Sequence, residues 1–161
     1  RVGDIINYIF YTDHLTEFNN RAYFDKYLKS MEKKLLDDGT VYAMVDISNL
    51  MHINTEYNRQ VGDDIIKIFT SFLKEAFGKT TAEFIYNGNG SFVILVEGSD
   101  YITVEDILRI FSLRLDEREE YKNISLEYKI GIAETFKENQ TARKLLSEAI
   151  KNKKEFESKI L

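Results

Sequence analysis

The chain of 161 residues has no cysteine and no proline, and only two histidines. Without cysteine there can be no disulfide framework, thiolate metal site or cysteine nucleophile, and the composition suits a reducing compartment, so a cytoplasmic location is expected. The missing proline accompanies abundant Lys, Asn, Ile, Glu and Tyr, which points to an AT-rich genome and carries no mechanism. Uninterrupted apolar runs are short, as at Phe92 to Val96, against the ~20 residues that a membrane span needs. Nothing at the N-terminus resembles a signal peptide. The net charge of -5 lacks the basic excess on which sequence-independent binding to nucleic-acid polymers depends.

What is present is enough hydrophobic material for one folded domain, 43% of residues with 13% aromatic. The first residue is Arg1, so the expectation is a piece of a longer protein. Residues 1–12 read as the end of a linker helix from an upstream domain, with Val2, Ile5, Ile6, Ile9 and Phe10 at helical spacing. Residues 13–161 read as the folded domain.

A polar turn at Asn19-Asn20 can cap a helix expected to run to about Leu36, with Phe24, Tyr27, Leu28, Met31 and Leu35 inward and Gly39 as its C-terminal cap. Val41 to Ile47 is too apolar for a half-exposed strand and reads as a central one, with Asp46 at its C-terminal end. Ser48 to Asn58 follows as a helical turn and loop. Val61 to Phe77 is strongly amphipathic through Val61, Ile65, Ile68, Phe69, Phe72 and Phe77, and Gly78 stops it.

Phe84 to Val96, FIYNGNGSFVILV, then reads as a hairpin turning at Asn87-Gly88-Asn89-Gly90, because Asn-Gly pairs suit turn positions with positive φ. Its strands are about Ala82 to Tyr86 and Ser91 to Val96. A helix from about Thr103 to Leu115, a last strand near Leu126 to Ala133 and a final helix from Ala142 to Lys159 complete the chain. Leu145, Leu146, Ala149 and Ile150 form the expected inner face of that helix. The order gives an α+β fold of the βαββαβ, ferredoxin-like kind, a mixed central sheet flanked by helices. In such a sheet the first strand neighbours the hairpin, so Asp46 should approach the turn. One strand-end carboxylate beside a turn is part of a Mg²⁺ and phosphate site, but Gly90 and Ser91 supply no second carboxylate.

Asp13-His14-Leu15-Thr16, Asn20-Arg21, the Asp46 strand, Ile53-Asn54, Gly62-Asp63 and the hairpin follow in the order of a GGDEF domain, which the chain resembles from about Asp13 to Lys154. Proteins of that family are bacterial diguanylate cyclases, which join two GTP molecules into cyclic di-GMP on a palm-like, nucleotide-cyclase fold. The resemblance implies structural roles for Asp13, Leu15, Thr16, Asn20 and Arg21, and a guanine-reading pair in Asn54 and Asp63. An amide and a carboxylate suit the guanine edge, the carboxylate accepting from N1 and N2. Read from the residues alone, Asn54 is a helix-end polar group and Asp63 a helix N-terminal charge.

The resemblance also makes Asp46, with the Ile47 carbonyl, the metal ligand, and Lys154 of Ala149-Ile150-Lys151-Asn152-Lys153-Lys154 a phosphate contact. The local alternatives are a capping carboxylate and a solvated lysine. The signature Gly-Gly-Asp-Glu-Phe falls on Gly88-Asn89-Gly90-Ser91-Phe92, so both acids are missing. The family's usual arginine before the loop is Tyr86 and its phosphate-side lysine is Met51. Its feedback Arg-x-x-Asp reads Lys79-Thr80-Thr81-Ala82. Losing one electrostatic partner of a transition state commonly costs ~2.7–4 kcal/mol, and here two are lost.

The expectation is a degenerate GGDEF domain, silent as an enzyme, with an incomplete Mg²⁺ site. It would serve a larger signalling protein, under an upstream sensor domain, as a regulatory or homodimerisation module, with GTP or another guanine nucleotide as ligand. Two alternatives stay open: an active cyclase recruiting Glu97 or Asp100, and a protein-interaction module with an empty nucleotide site. His14 and His52 lack a ligand cluster and read as surface residues.

Overall fold

The computed structural model describes residues 1–135 and 140–156. Among the described residues six helices and five strands follow in the order α1 (Val2–Tyr11), α2 (Arg21–Ser30), β1 (Val41–Ile47), α3 (Leu50–Glu56), α4 (Arg59–Ala76), β2 (Glu83–Tyr86), β3 (Ser91–Val96), α5 (Tyr101–Asp116), β4 (Tyr128–Glu134), α6 (Ala142–Lys151) and β5 (Lys154–Glu155). Four helices begin at side-chain caps that the sequence offers at those positions. Asn20 accepts from the Tyr23 N–H, Asn58 from Val61, Asp100 from Thr103 and Thr141 from Lys144.

The sheet runs β2-β3-β1-β4-β5, and all four ladders are antiparallel. A mixed sheet was expected because helices link several strands. The α3–α4 crossover does carry the chain from β1 to a strand of the same direction, β2, but β3 inserts between them, so each neighbour is antiparallel. The one parallel pairing among the described residues is the isolated Asn19–Ile85 bridge.

Burial on both faces explains the continuous apolar reading of β1. Val41, Ala43, Val45 and Ile47 join a core with Ile65, Phe69 and Phe92 under α4 and α5. Tyr42 and Met44 point the other way and join Phe24, Leu28, Leu145 and Ala149 of α2 and α6. Phe69 stacks on Phe92 at 6.2 Å between centroids. Burying aromatics of this size, with the aliphatic residues around them, contributes to the driving force for closing the sheet on its helices.

Two expected helix ends change, and with the first the role of Gly39. The helix α2 stops at Ser30, not near Leu36. The charged Glu32-Lys33-Lys34 stretch gives it no further inward face, Leu35 is exposed, and the Leu36 N–H is taken by the Gln140 carbonyl at 2.8 Å. Gly39 therefore caps no helix. It turns the chain into β1 with φ +83°, and its carbonyl accepts from Ser99 N–H at 2.9 Å. The final helix α6 stops at Lys151, and Ile150 on it is exposed. The free edge of β4 recruits Lys154 and Glu155 as β5 opposite Ile130 and Lys129. Positions 157–159 of the expected helix lie outside the described residues.

Candidate functional site

The register of the central strands decides what meets at the turn. Asp46, at the end of β1, stands opposite Ser91, the first residue of β3. The Ser91 hydroxyl donates to Asp46 Oδ1 at 2.8 Å, and the Lys153 ammonium donates to Asp46 Oδ2 at 2.6 Å. Asp46 is 24% exposed and Lys153 27%, so the pair is partly withdrawn from water.

The turn itself is held by its backbone. Gly88, Asn89 and Gly90 have φ of 86°, 52° and 77°. The Asn87 N–H donates to the Ser91 carbonyl at 2.8 Å and Ser91 N–H to the Gly88 carbonyl at 3.0 Å. Gly90 is buried against the start of α3: a Cβ there would lie 3.1 Å from both Ile47 Cβ and Leu50 Cδ2. Its carbonyl accepts from Ile47 N–H at 2.9 Å, and its N–H donates to the Tyr86 hydroxyl at 2.9 Å. Tyr86, at the position of the family arginine, is thus an internal brace for the loop. Burial pushes its phenol above the usual value, the Gly90 bond partly opposes this, and the charges of Asp13 and Asp63 add to the rise.

Asn54 and Asp63 sit on the paired helices α3 and α4. Asn54 packs into the notch left by Gly62, where a Cβ would fall 1.7 Å from its Oδ1. That Oδ1 is buried, and among the described residues no donor reaches it. Asp63 is half-buried one residue beyond the notch, near enough to the loop for its charge to act on Tyr86.

The structure brings together Asp46, Ser91 and the Gly88–Phe92 loop, as the sequence implies, and adds a lysine that the sequence reading did not single out. Lys154 is exposed in β5, and its neighbour Lys153 reaches the carboxylate. Three features aim Lys153. Gly131 has no side chain, and a Cβ there would lie 2.8 Å from Lys153 N and 2.0 Å from the Ala149 carbonyl. The Asn152 amide donates to the Ile132 carbonyl at 2.8 Å, and Lys154 pairs with Ile130. The sequence signal that could have singled out Lys153 is Gly131, a small residue in a strand, which marks close approach of another backbone.

Met51 is exposed at the position of the family lysine. Asp13 caps its own turn, accepting from the Thr16 N–H and hydroxyl at 2.8 Å each, and Asn20 caps α2. Glu97 and Asp100 lie beyond the far end of β3, where Val96 pairs with Val41, and Asp100 is used as the cap of α5. His14 and His52 are both exposed.

A hard divalent ion needs several oxygen ligands in near-octahedral array. Here one carboxylate faces the loop, and both of its oxygens are engaged by donors. Among the described residues no group of three His, Asp or Glu side chains could hold a metal. The residues present do not fit the Mg²⁺ that the resemblance implies.

A family model described as "Diguanylate cyclase, GGDEF domain" matches residues 10–158. Among solved structures, the coiled coil and GGDEF domain of DgcB from Caulobacter crescentus, in complex with c-di-GMP, superposes with a TM-score of 0.78 at 17% identity, over 93% of this chain and 82% of that one. The FimX GGDEF domain from Pseudomonas aeruginosa gives 0.75 at 15% identity, over 88% and 90%. A Vibrio cholerae LapD S helix-GGDEF-EAL chain bound to c-di-GMP gives 0.74 at 16%, over 92% and 34%. The curated protein YtrP of Bacillus subtilis (strain 168), described as uncharacterized, is 33% identical over 76 residues; that match takes in 47% of this chain and 13% of the YtrP length. At these identities the structures speak for the fold, and the family match over most of the chain carries the assignment: the chain belongs to the GGDEF domain family.

Proposed function

We propose that this is a catalytically silent GGDEF domain, a regulatory module of a larger bacterial signalling protein that retains a guanine-nucleotide site. The observation that carries the silent half is the state of Asp46. The loop offers it Ser91 in place of an acid, and a lysine ammonium takes its second oxygen. Metal-assisted attack of a 3′-hydroxyl on a triphosphate depends on metal ions neutralising charge on the phosphates, and the protein must fix their ligands for it. No acidic pair stands at the turn to do so. Recruiting Glu97 or Asp100 instead would require them to cross the length of β3.

The nucleotide half rests on the Asn54–Asp63 pair beside the loop. A purely structural buried amide is normally hydrogen-bonded, to protein or to ordered water. Asn54 Oδ1 is buried without a donor among the described residues, and the Gly62 notch fixes its side chain.

The homodimer reading has its own support in α1. None of its residues is buried, and Val2, Ile5, Ile6, Ile9 and Phe10 are all exposed. An apolar stripe at this spacing suits a second copy of the same helix.

Incubating pure protein with GTP and Mg²⁺ and resolving the products by chromatography tests the enzyme reading. The expected result is no cyclic di-GMP at high protein concentration, and clear product overturns it. Calorimetric titration tests the site: GTP should bind more tightly than ATP, and Asn54→Ala should abolish the difference. Equal affinity for the two nucleotides overturns guanine recognition.

A further inference from the structure

The lysine at Asp46 sits where the family resemblance calls for a metal, and several features show that its position is built. Lys153 follows α6 in a short turn whose backbone is fixed on both sides, by the Asn152 amide on the Ile132 carbonyl at 2.8 Å and by the Lys154–Ile130 ladder. The turn can lie this close to β4 because Gly131 has no Cβ. From there the side chain runs across the sheet end to Asp46 Oδ2. On the other side Ser91, in place of an acid, donates to Oδ1. A glutamate there would set two carboxylates side by side and favour a divalent ion; a hydroxyl leaves one negative charge, which one ammonium balances.

We propose that the Lys153 ammonium is the resident cation of this site, standing in for the divalent ion, so that the domain binds guanine nucleotide without Mg²⁺. The inference rests on the nucleotide reading given above and specifies its cofactor requirement. An ammonium carries three N–H donors. One is used on Asp46, and among the described residues the others have no protein acceptor. The Lys153 side chain is 27% exposed, and in this proposal those donors go to phosphate oxygens. Mg²⁺ gains little here: it would have to displace a close charge-assisted bond for a single carboxylate, and it gives up its own water reluctantly.

Two measurements test this and fail separately. In the first, Mn²⁺ is titrated into ¹⁵N-labelled protein without nucleotide, and paramagnetic broadening is read at the amides of Ser48, Ser91 and Lys129. In the wild type these signals should persist while exposed acidic positions broaden. In Lys153→Met they should broaden at about tenfold lower Mn²⁺. Broadening there in the wild type, or none gained in Lys153→Met, overturns the resident-cation assignment. Lys153→Gln serves as the second variant if the methionine protein does not fold.

In the second, GTP affinity is measured in EDTA and in Mg²⁺. The two values should agree within about twofold, Lys153→Met should lose about tenfold in EDTA, and Lys153→Arg should keep most of the affinity. Binding that needs Mg²⁺ overturns the metal-free inference and leaves the nucleotide reading standing. Failure to bind GTP in either buffer overturns the nucleotide reading and the metal-free binding that rests on it. The Mn²⁺ titration then still decides what occupies Asp46.

Discussion

Asn54 and Gly62 fit one another so closely that a methyl group on Gly62 would lie 1.7 Å from Asn54 Oδ1 and 2.8 Å from its Cγ. The atoms in the way belong to the end of a side chain, so the clash can be relieved by moving the amide, while the helix gains a better helix former. Gly62→Ala should therefore change stability by no more than about 1 kcal/mol. It should also weaken GTP binding by about tenfold, because the amide can no longer occupy its notch. Thermal melts beside calorimetry check this; a stability loss with unchanged affinity would show the notch to be packing alone.

The brace between Tyr86 and Gly90 makes a second expectation. Tyr86→Phe keeps the ring against Phe92, at 5.0 Å between centroids, but removes the acceptor of a buried N–H. An orphaned buried donor costs about 1–3 kcal/mol. Denaturant unfolding should show that loss, and hydrogen exchange at Gly90 should accelerate selectively.

Restoring the family's acids should not restore the reaction. Gly90 has φ +77°, and a Cβ would press on Ile47 and Leu50 at 3.1 Å each. Gly90→Asp should therefore cost about 1–3 kcal/mol through backbone strain. The double variant Gly90→Asp, Ser91→Glu should yield a less stable protein that forms no cyclic di-GMP while Lys153 still holds Asp46. Chromatography of its GTP reaction checks this, and cyclic di-GMP from the double variant would show that the rest of the site is intact.

Two core tyrosines predict an alkaline limit to stability. Burial is the main cause that raises the Tyr42 phenol well above 10.0, and it pushes Tyr128 up to about 12. Since the folded state holds these protons more tightly, their stabilisation is complete below about pH 10 and is lost as pH rises above it, for Tyr128 as pH passes through about 12. For Tyr128 the shift corresponds to on the order of 3 kcal/mol. Urea midpoints should be flat from pH 7 to 9 and fall steeply above 10. In Tyr128→Phe the fall should be shallower.

The apolar stripe of α1 can be tested without disturbing the domain. Ile6 and Ile9 are 59% and 56% exposed. Replacing both with Glu should leave the melting transition of the folded domain within about 0.5 kcal/mol per substitution, as for surface sites in general. Light scattering over a concentration series should show the wild type approaching twice the chain mass and the variant remaining at one. Identical behaviour of the two would remove the case for pairing through this helix.

Most of the fold was legible because its signals are local. β1 runs from Val41 to Ile47 as read, since seven nearly unbroken apolar residues rich in β-branched types suit a strand covered on both faces. The hairpin is equally explicit, because its turn residues must accept positive φ and the chain writes glycine there. The ends of α2 and α6 were not legible. No glycine or proline follows Ser30 or Lys151 closely enough to mark a stop, and the chain leaves the helix to meet partners distant in sequence, Gln140 in one case and Ile130 in the other.

The site divides along the same line. Residue identity and order alone, through the family resemblance, aligned Gly90 and Ser91 with the two acids of the signature and implied Asn54 and Asp63 as a guanine-reading pair. The resemblance also implied Lys154 as a phosphate contact; the structure leaves Lys154 exposed and brings its neighbour Lys153 to Asp46. The tertiary structure decided that, through the missing Cβ of Gly131 and the register of a two-residue strand. It also decided that both oxygens of Asp46 are already in use. Which of two adjacent lysines reaches a carboxylate 107 positions away depends on where the backbone lies and which way one side chain projects, and no local pattern encodes either.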